Sequence, residues 1–399
     1  MNKNLKRVLH LVIIFLFFTS CKKNDVINEN ALNDEISAVK TEYAPDKRVA
    51  LFNVEAINQK KNYLLKGESN LPDAVAALKD QLKAKDINFI DSIQILPSED
   101  LKGNVFGLVT ISVANLRSYP KHSAELATQA LMGTPVNILK KEGDWSLIQT
   151  PDNYLAWVDG GGIISMSASD LSSWKSLPKI IYTDITGSTY SEPDLKTQIV
   201  SDIVAGNILV LLDEEIDFFK VKYPDGRIAF VYKNEAEMYD DWLKRTKPNP
   251  ENLITTSKKL LGLPYLWGGT STKGVDCSGF TKTVYFLNGM IIPRDASQQV
   301  HAGKLIDETR DFDQLTPGDL LFFGRKATDS TAEKVIHVGM WIGNNQFIHS
   351  AGQVKISSID ENAVNFDAHN LNRYLLSKRI INSENDAIIN LNNTSFFKD

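Results

Sequence analysis

The chain has 399 residues, 43% hydrophobic and 23% charged, which is ordinary packed globular material in an amount that suits two to four domains. A formal net charge of -5 leaves no basic excess to neutralise phosphates, so nucleic-acid binding drops out of the function classes.

Residues 1–21 read as an export signal: Lys3, Lys6 and Arg7, then the apolar run "VLHLVIIFLFF", then "TSC". The run from Val8 to Phe18 is too short to span a bilayer as a mature helix. "FTSC" is similar to a bacterial lipobox, which implies that Cys21 is lipidated and becomes the new N-terminus, anchoring the exported chain to a membrane on its periplasmic or cell-surface side. The alternative is an ordinary cleaved signal that happens to hold a cysteine. Residues 22–45, beginning "KKNDVINENALNDEISAVK", have the composition of a flexible tether. With Cys21 lipidated, Cys277 has no partner, which excludes a disulfide framework and leaves a lone thiol outside the cytoplasm. Such a cysteine is either a small buried hydrophobe or a reactive group, and its neighbours decide.

Residues 46–104 form a small α/β region: "RVALFNVEAI" predicts a strand, "LPDAVAALKDQLKAK" a helix and "FIDSIQILP" a second strand. An internal repeat comes next. "GTPVNILKKEGDWSLIQTPDNYLAWV" and "GNILVLLDEEIDFFKVKYPDGRIAFV" align without a gap at an offset of 73, pairing Gly133 with Gly206, Trp145 with Phe218 and Ala156 with Ala229. Short alternating strands with glycine and Pro-Asp turns predict two compact β-barrels, over 105–170 and 178–242. Both resemble bacterial SH3-like domains.

From about Pro248 the pattern becomes α+β: a helix, a Gly-rich loop, a helix opening at Cys277, then apolar strands "GDLLFFG", "HVGMWIG" and "QFIHSAG". This unit covers 249–383, and the Asn-rich tail 384–399 is expected to be poorly ordered.

A thiol at a helix N-terminus meets the positive end of the dipole and free backbone N–H groups, which favour thiolate and can hold an oxyanion. It still needs a base. His337 and His349 sit 12 residues apart on two strands joined by "GNNQ", so both imidazoles can reach one sheet edge, one taking the proton and the other orienting it. Either histidine alone would more often be a satisfied half-buried residue; together beside the cysteine they point to catalysis. One cysteine and two histidines could also hold zinc, but no HExxH helix or CxxC pair supplies the spacing, so neither metal nor cofactor is expected.

In order, "YLWGGTSTKGVDCSGF", "PRDASQQ", "LTPGDLLFF", "HVGMWIG" and "FIHSAG" resemble the NlpC-type branch of the papain-like cysteine peptidases over roughly 249–381. The resemblance implies a papain-like fold, Cys277 as nucleophile, His337 as base, His349 as third member, and cleavage of peptidoglycan stem peptides. The whole layout, a small α/β N-terminal region, two SH3-like barrels and this domain, is similar to dipeptidyl-peptidase VI-like members. These cut γ-D-glutamyl to diamino acid bonds in peptides with a free N-terminal L-Ala. On that likeness Tyr265 and Trp267 line the cleft, Asp276 and Ser278 contact the peptide, and Asp295 meets the amine together with Glu125 and Tyr154 of the first barrel. The pattern departs at Ala296, where serine is usual, and at "DNY", where "DGY" is usual. An ammonium in a closed cleft needs a carboxylate to offset desolvation. The protein is expected to act as a monomer on peptidoglycan-derived peptides. A hydrolase of intact wall that uses the barrels as anchors, and a non-catalytic wall-binding lipoprotein, are the competing expectations.

Overall fold

The computed structural model describes residues 29–59, 62–383 and 385–398; the expected export signal and lipidation site Cys21 lie outside the described residues. Leu32, Ile36 and Val39 recur every three or four positions in an otherwise polar stretch. They make Glu29–Tyr43 a helix whose stripe is buried with Leu65, Leu78 and Leu82. From Glu29 onward the segment 22–45 is therefore a packed helix rather than a flexible tether. A second helix, Pro72–Ala84, carries a proline in its first turn and buries Ala74, Val75, Leu78 and Leu82. It crosses over between the strands Asn62–Ser69 and Phe89–Ile95, which pair in parallel, while Phe52–Gln59 pairs antiparallel to the first of them. The strand Asn62–Ser69 escapes a reading of periodicity because its second half, "KGES", has no apolar alternation.

Seven strands form each barrel, and every strand of the second starts 73 residues after its counterpart in the first: Phe106–Val109 recurs as Lys179–Tyr182, Trp145–Gln149 as Phe218–Lys222, Leu155–Asp159 as Ile228–Tyr232. The matched pairs Ala156/Ala229 and Val158/Val231 are buried in the respective cores. That agreement of inward positions is what the period-2 pattern of a strand requires.

The C-terminal unit is a six-stranded antiparallel sheet in the order Lys304–Asp307, Tyr374–Arg379, Leu320–Arg325, Lys334–Gly343, Gln346–Ala351, Gln353–Ser358. Its inner face, with Val338, Met340 and Ile348, packs against Phe280 and Val284 of the helix Cys277–Phe286. The edge strand Leu126–Leu131 of the first barrel is closed by this unit: Thr270 N donates to Gln129 Oε1 at 3.0 Å and Gln129 N to Thr270 Oγ1 at 3.2 Å. The second barrel is tied in by Asp202, which accepts from Ser112 Oγ at 2.7 Å and pairs with Lys273 Nζ at 2.5 Å.

The tail is not loose. Ile389–Asn390 pairs with Met290–Ile291, and Leu391 and Phe397 are buried against Tyr239, Trp242 and Ile291. Scattered apolar residues among asparagines supply enough buried surface to dock it. Phe397→Ala is expected to lower the unfolding free energy by about 3 kcal/mol, read as a fall in the urea midpoint; an unchanged midpoint would mean that the tail contributes nothing.

Candidate active site

Asp276 caps the helix Cys277–Phe286, its Oδ1 accepting from Gly279 N at 2.7 Å. Cys277 is thereby the first helical residue. Only glycine fits at 279, because a Cβ there would stand 1.9 Å from the Gly269 carbonyl oxygen; the helix start is pressed onto the Gly-rich loop. Asp276 Oδ2 also accepts from Gly268 N at 3.0 Å. Arg294, 1% exposed, donates to the two Asp276 oxygens at 3.1 and 2.6 Å, to Ser278 Oγ at 3.1 Å and to Thr128 Oγ1 of the first barrel at 3.0 Å. Asp276 and Ser278 border the cleft, but their side chains, expected on the peptide, turn inward to Arg294.

The thiol differs from expectation as well. Burial pushes Cys277 up to about 11, and the adjacent Asp276 carboxylate adds to the rise. The backbone N–H groups of Val338 and Ser278 pull the other way, and they lose. The helix terminus does not produce a resting thiolate.

His337 and His349 lie on one face of neighbouring strands joined by Asn344 and Asn345, both in the left-handed region, as a tight hairpin turn requires. Gly339 makes room: a Cβ there would be 3.3 Å from His349 Cβ and 2.9 Å from the Phe347 ring. His337 Nε2 and His349 Nδ1 are 2.7 Å apart, and His349 Nε2 is 3.0 Å from Ser357 Oγ and 3.8 Å from Asp367 Oδ2. If His337 Nε2 carries the proton and donates to His349 Nδ1, His337 Nδ1 is an acceptor and His349 Nε2–H donates to Ser357. Burial, then mutual repulsion, holds His337 well below the usual imidazole range. Burial likewise brings His349 down to about 4, with Asp367 opposing. Both rings are thus neutral at pH 7. Ser357 and Asp367 carry no motif in the sequence; they enter through the fold alone.

A cleft of roughly 1080 Å³ contains Cys277 and His337 and is walled by Tyr265, Trp267, Glu125 and Tyr154. His349 stands behind His337, fully buried. Burial, then the charges of Cys277 and Asp276, push the Tyr265 phenol up to about 12. Trp267 Nε1 donates to Glu125 Oε1 at 2.7 Å, spanning the gap between catalytic unit and first barrel. Tyr154 donates to Asp295 Oδ2 at 3.1 Å. The same oxygen accepts from Arg48 Nη1 at 2.8 Å, so Asp295, expected free for an amine, already has a cation beside it. Arg48 comes from the connection between Glu29–Tyr43 and Phe52–Gln59, where "DKRVA" gives no hint of a site. Among the described residues no three His, Cys, Asp or Glu converge as a metal ligand set.

Residues 262–373 match the model of the NlpC/P60 family, and 112–164 match that of the bacterial SH3 domain. A gamma-D-glutamyl-L-lysine dipeptidyl-peptidase from Bacillus cereus is 35% identical over 234 residues, 57% of this chain and 67% of its own. The chain belongs to the NlpC/P60 family. It is a cysteine peptidase. Dipeptidyl-peptidase 6 of Lysinibacillus sphaericus is 27% identical over 268 residues, 64% of this chain and 92% of its own. The crystal structure of an NlpC/P60 family protein from Bacillus cereus superposes with a TM-score of 0.59 at 27% identity, covering 69% of this chain and 99% of that one. Unlike the expectation drawn from its helix position, the thiol of this NlpC/P60 chain is held neutral by burial. Alkylation of Cys277 by iodoacetamide should therefore climb roughly tenfold per pH unit from pH 7 towards about 11; a plateau near pH 8.5 would show that the free enzyme does not raise its thiol.

Proposed function

We propose that the protein hydrolyses the γ-D-glutamyl to diamino acid bond of peptidoglycan stem peptides whose N-terminal L-Ala is free. Cys277 is the nucleophile, His337 the base and His349 its orienter. The observation that carries this is the 2.7 Å contact of His337 Nε2 with His349 Nδ1: with the proton on His337 Nε2, His337 Nδ1 is the acceptor for the thiol proton. The sulfur attacks the γ-carbonyl carbon as its proton passes to His337. The Cys277 N–H at the helix start is available to the oxyanion. The C–N bond breaks, the proton goes to the leaving amine, and a thioester remains. Water, deprotonated by His337, releases the dipeptide and restores the thiol. Every group comes from one chain.

The bond class is supported by the names of the similar peptidases. The free amine is supported by the carboxylates Glu125 and Asp295 and the phenol of Tyr154, which all line the cleft, Glu125 and Tyr154 coming from the first barrel. Among the described residues, none from 178–242 lines that cleft, so the second barrel acts on it only indirectly, through the first barrel and through its pairing with Lys273. Cys277→Ser is expected to lower kcat by about 10⁴ or more, and His349→Ala by about 10² to 10⁴, on L-Ala-γ-D-Glu-L-Lys or its diaminopimelate analogue. The same peptide N-capped by muramic acid should resist cleavage. Equal turnover of capped and free peptides would sink the amine requirement; undiminished turnover by Cys277→Ser would sink the mechanism.

Export and lipidation at Cys21 would place the enzyme at a bacterial envelope membrane, where such peptides are produced. Cys21→Ser should move the protein from the detergent phase to the aqueous phase in phase partitioning. Retention in the detergent phase would refute the anchor.

A further inference from the structure

The two oxygens of Asp295 face opposite ways. Oδ1 looks towards Arg294 at 3.8 Å, and Arg294 grips Asp276, the neighbour of Cys277. Oδ2 accepts from Arg48 Nη1 at 2.8 Å and from Tyr154 OH at 3.1 Å. Arg48 also donates to Ser297 Oγ at 2.9 Å, and it is held from behind by Asp46, at 2.8 Å to Oδ1 and 2.7 Å to Oδ2.

The backbone carrying Arg48 is pinned on both sides. Arg48 O accepts from Leu155 N of the first barrel at 2.7 Å, and Gln149 Nε2 reaches Val49 O at 3.3 Å. From the catalytic unit, Gln298 Nε2 donates to Asp46 Oδ2 at 2.8 Å. The connection therefore fills the seam between barrel and catalytic unit, at the end of the cleft where Asp295 sits.

Asp46, Asp276 and Asp295 face Arg48 and Arg294, leaving a single negative charge in the cluster. One ammonium neutralises it; an acylated, neutral nitrogen leaves it uncompensated and adds bulk beside a carboxylate that Arg48 Nη1 already holds at 2.8 Å.

Resting on the reaction proposed above, we infer that Arg48 is a specificity-determining residue. Supplied by the N-terminal unit, it walls the cleft behind Asp295 and rejects peptides whose first amine is acylated. This gives residues 29–95 a part in substrate choice, although they lie far from Cys277 in sequence. Rejection here works by steric and electrostatic exclusion of the wrong substrate.

The test compares kcat/KM for L-Ala-γ-D-Glu-L-Lys and its N-acetyl form, using the full chain as wild type, Arg48→Ala, Arg48→Gln and Arg48→Lys. Arg48 is 33% exposed, so truncation leaves no core cavity. Arg48→Ala should raise the N-acetyl to free-amine ratio about tenfold or more, through faster turnover of the N-acetyl peptide. Arg48→Gln should fall between, and Arg48→Lys should stay near wild type. A ratio unchanged in both Arg48→Ala and Arg48→Gln overturns the inference, as does parallel loss of both activities, which would make Arg48 a structural tie. Both of those outcomes leave wild-type cleavage of the free peptide intact. A wild type that cuts neither peptide instead removes the proposed reaction and this inference with it.

Discussion

The buried ion pair between Arg294 and Asp276 is the contact on which the rest of the site depends. A guanidinium out of water is costly unless nearly every donor is met, and here the donors reach Asp276, Ser278 and Thr128. In meeting them, Arg294 joins three things that the chain keeps apart: the cap of the nucleophile helix, the Gly-rich loop held through Gly268 N, and the first barrel. The barrel is thus part of the active cleft by electrostatic necessity rather than as a neighbour on a linker. Removing either partner would leave a bare charge in a dry site, loosening the helix start and the barrel contact together.

From that centre the charges alternate outward, Asp276, Arg294, Asp295, Arg48, Asp46, with each group compensated by the next. Such a row transmits position well because each member has two partners and little freedom. The row runs from the reacting sulfur to the seam between barrel and N-terminal unit, and Tyr154 from the barrel closes onto Asp295 along the way.

How much of the molecule is legible in the sequence depends on how local each signal is. The cysteine helix, the two histidine strands and the barrel repeat are all short-range patterns, and each has its expected place in the fold. Glu29–Tyr43 is hidden because three large aliphatic residues in fifteen read as polar composition until their spacing is matched to a partner surface. Arg294 stands inside the motif "PRDASQQ", but its burial depends on Thr128, which is 166 positions away. Arg48 and Asp367 carry no signal: an arginine after a lysine and an aspartate in a polar loop gain meaning only from Asp295 and His349. Local sequence reports element type; pairing across domains is a property of the packed chain.

The protonation state of the site also bears on how readily the Cys277 thiol is oxidised. With Cys277 pushed up to about 11 by burial, the neutral thiol predominates at pH 7. Thiolate is the form that attacks disulfides and reacts with oxidants, so a neutral resting thiol is less open to both. The same burial makes full proton transfer to His337 uphill before substrate binds, since that imidazole is held below its usual range. Attack and proton transfer are then best coupled in one step, with the negative charge passing to the substrate oxygen at the helix start rather than resting on sulfur. His349, Ser357 and Asp367 suit that demand: they do not charge His337 in the free enzyme, but they offer acceptors in line when its ring becomes cationic. Reactivity is thereby confined to the moment when a peptide fills the cleft, which is consistent with a site that spends its acidic groups on positioning rather than on activating the thiol in advance.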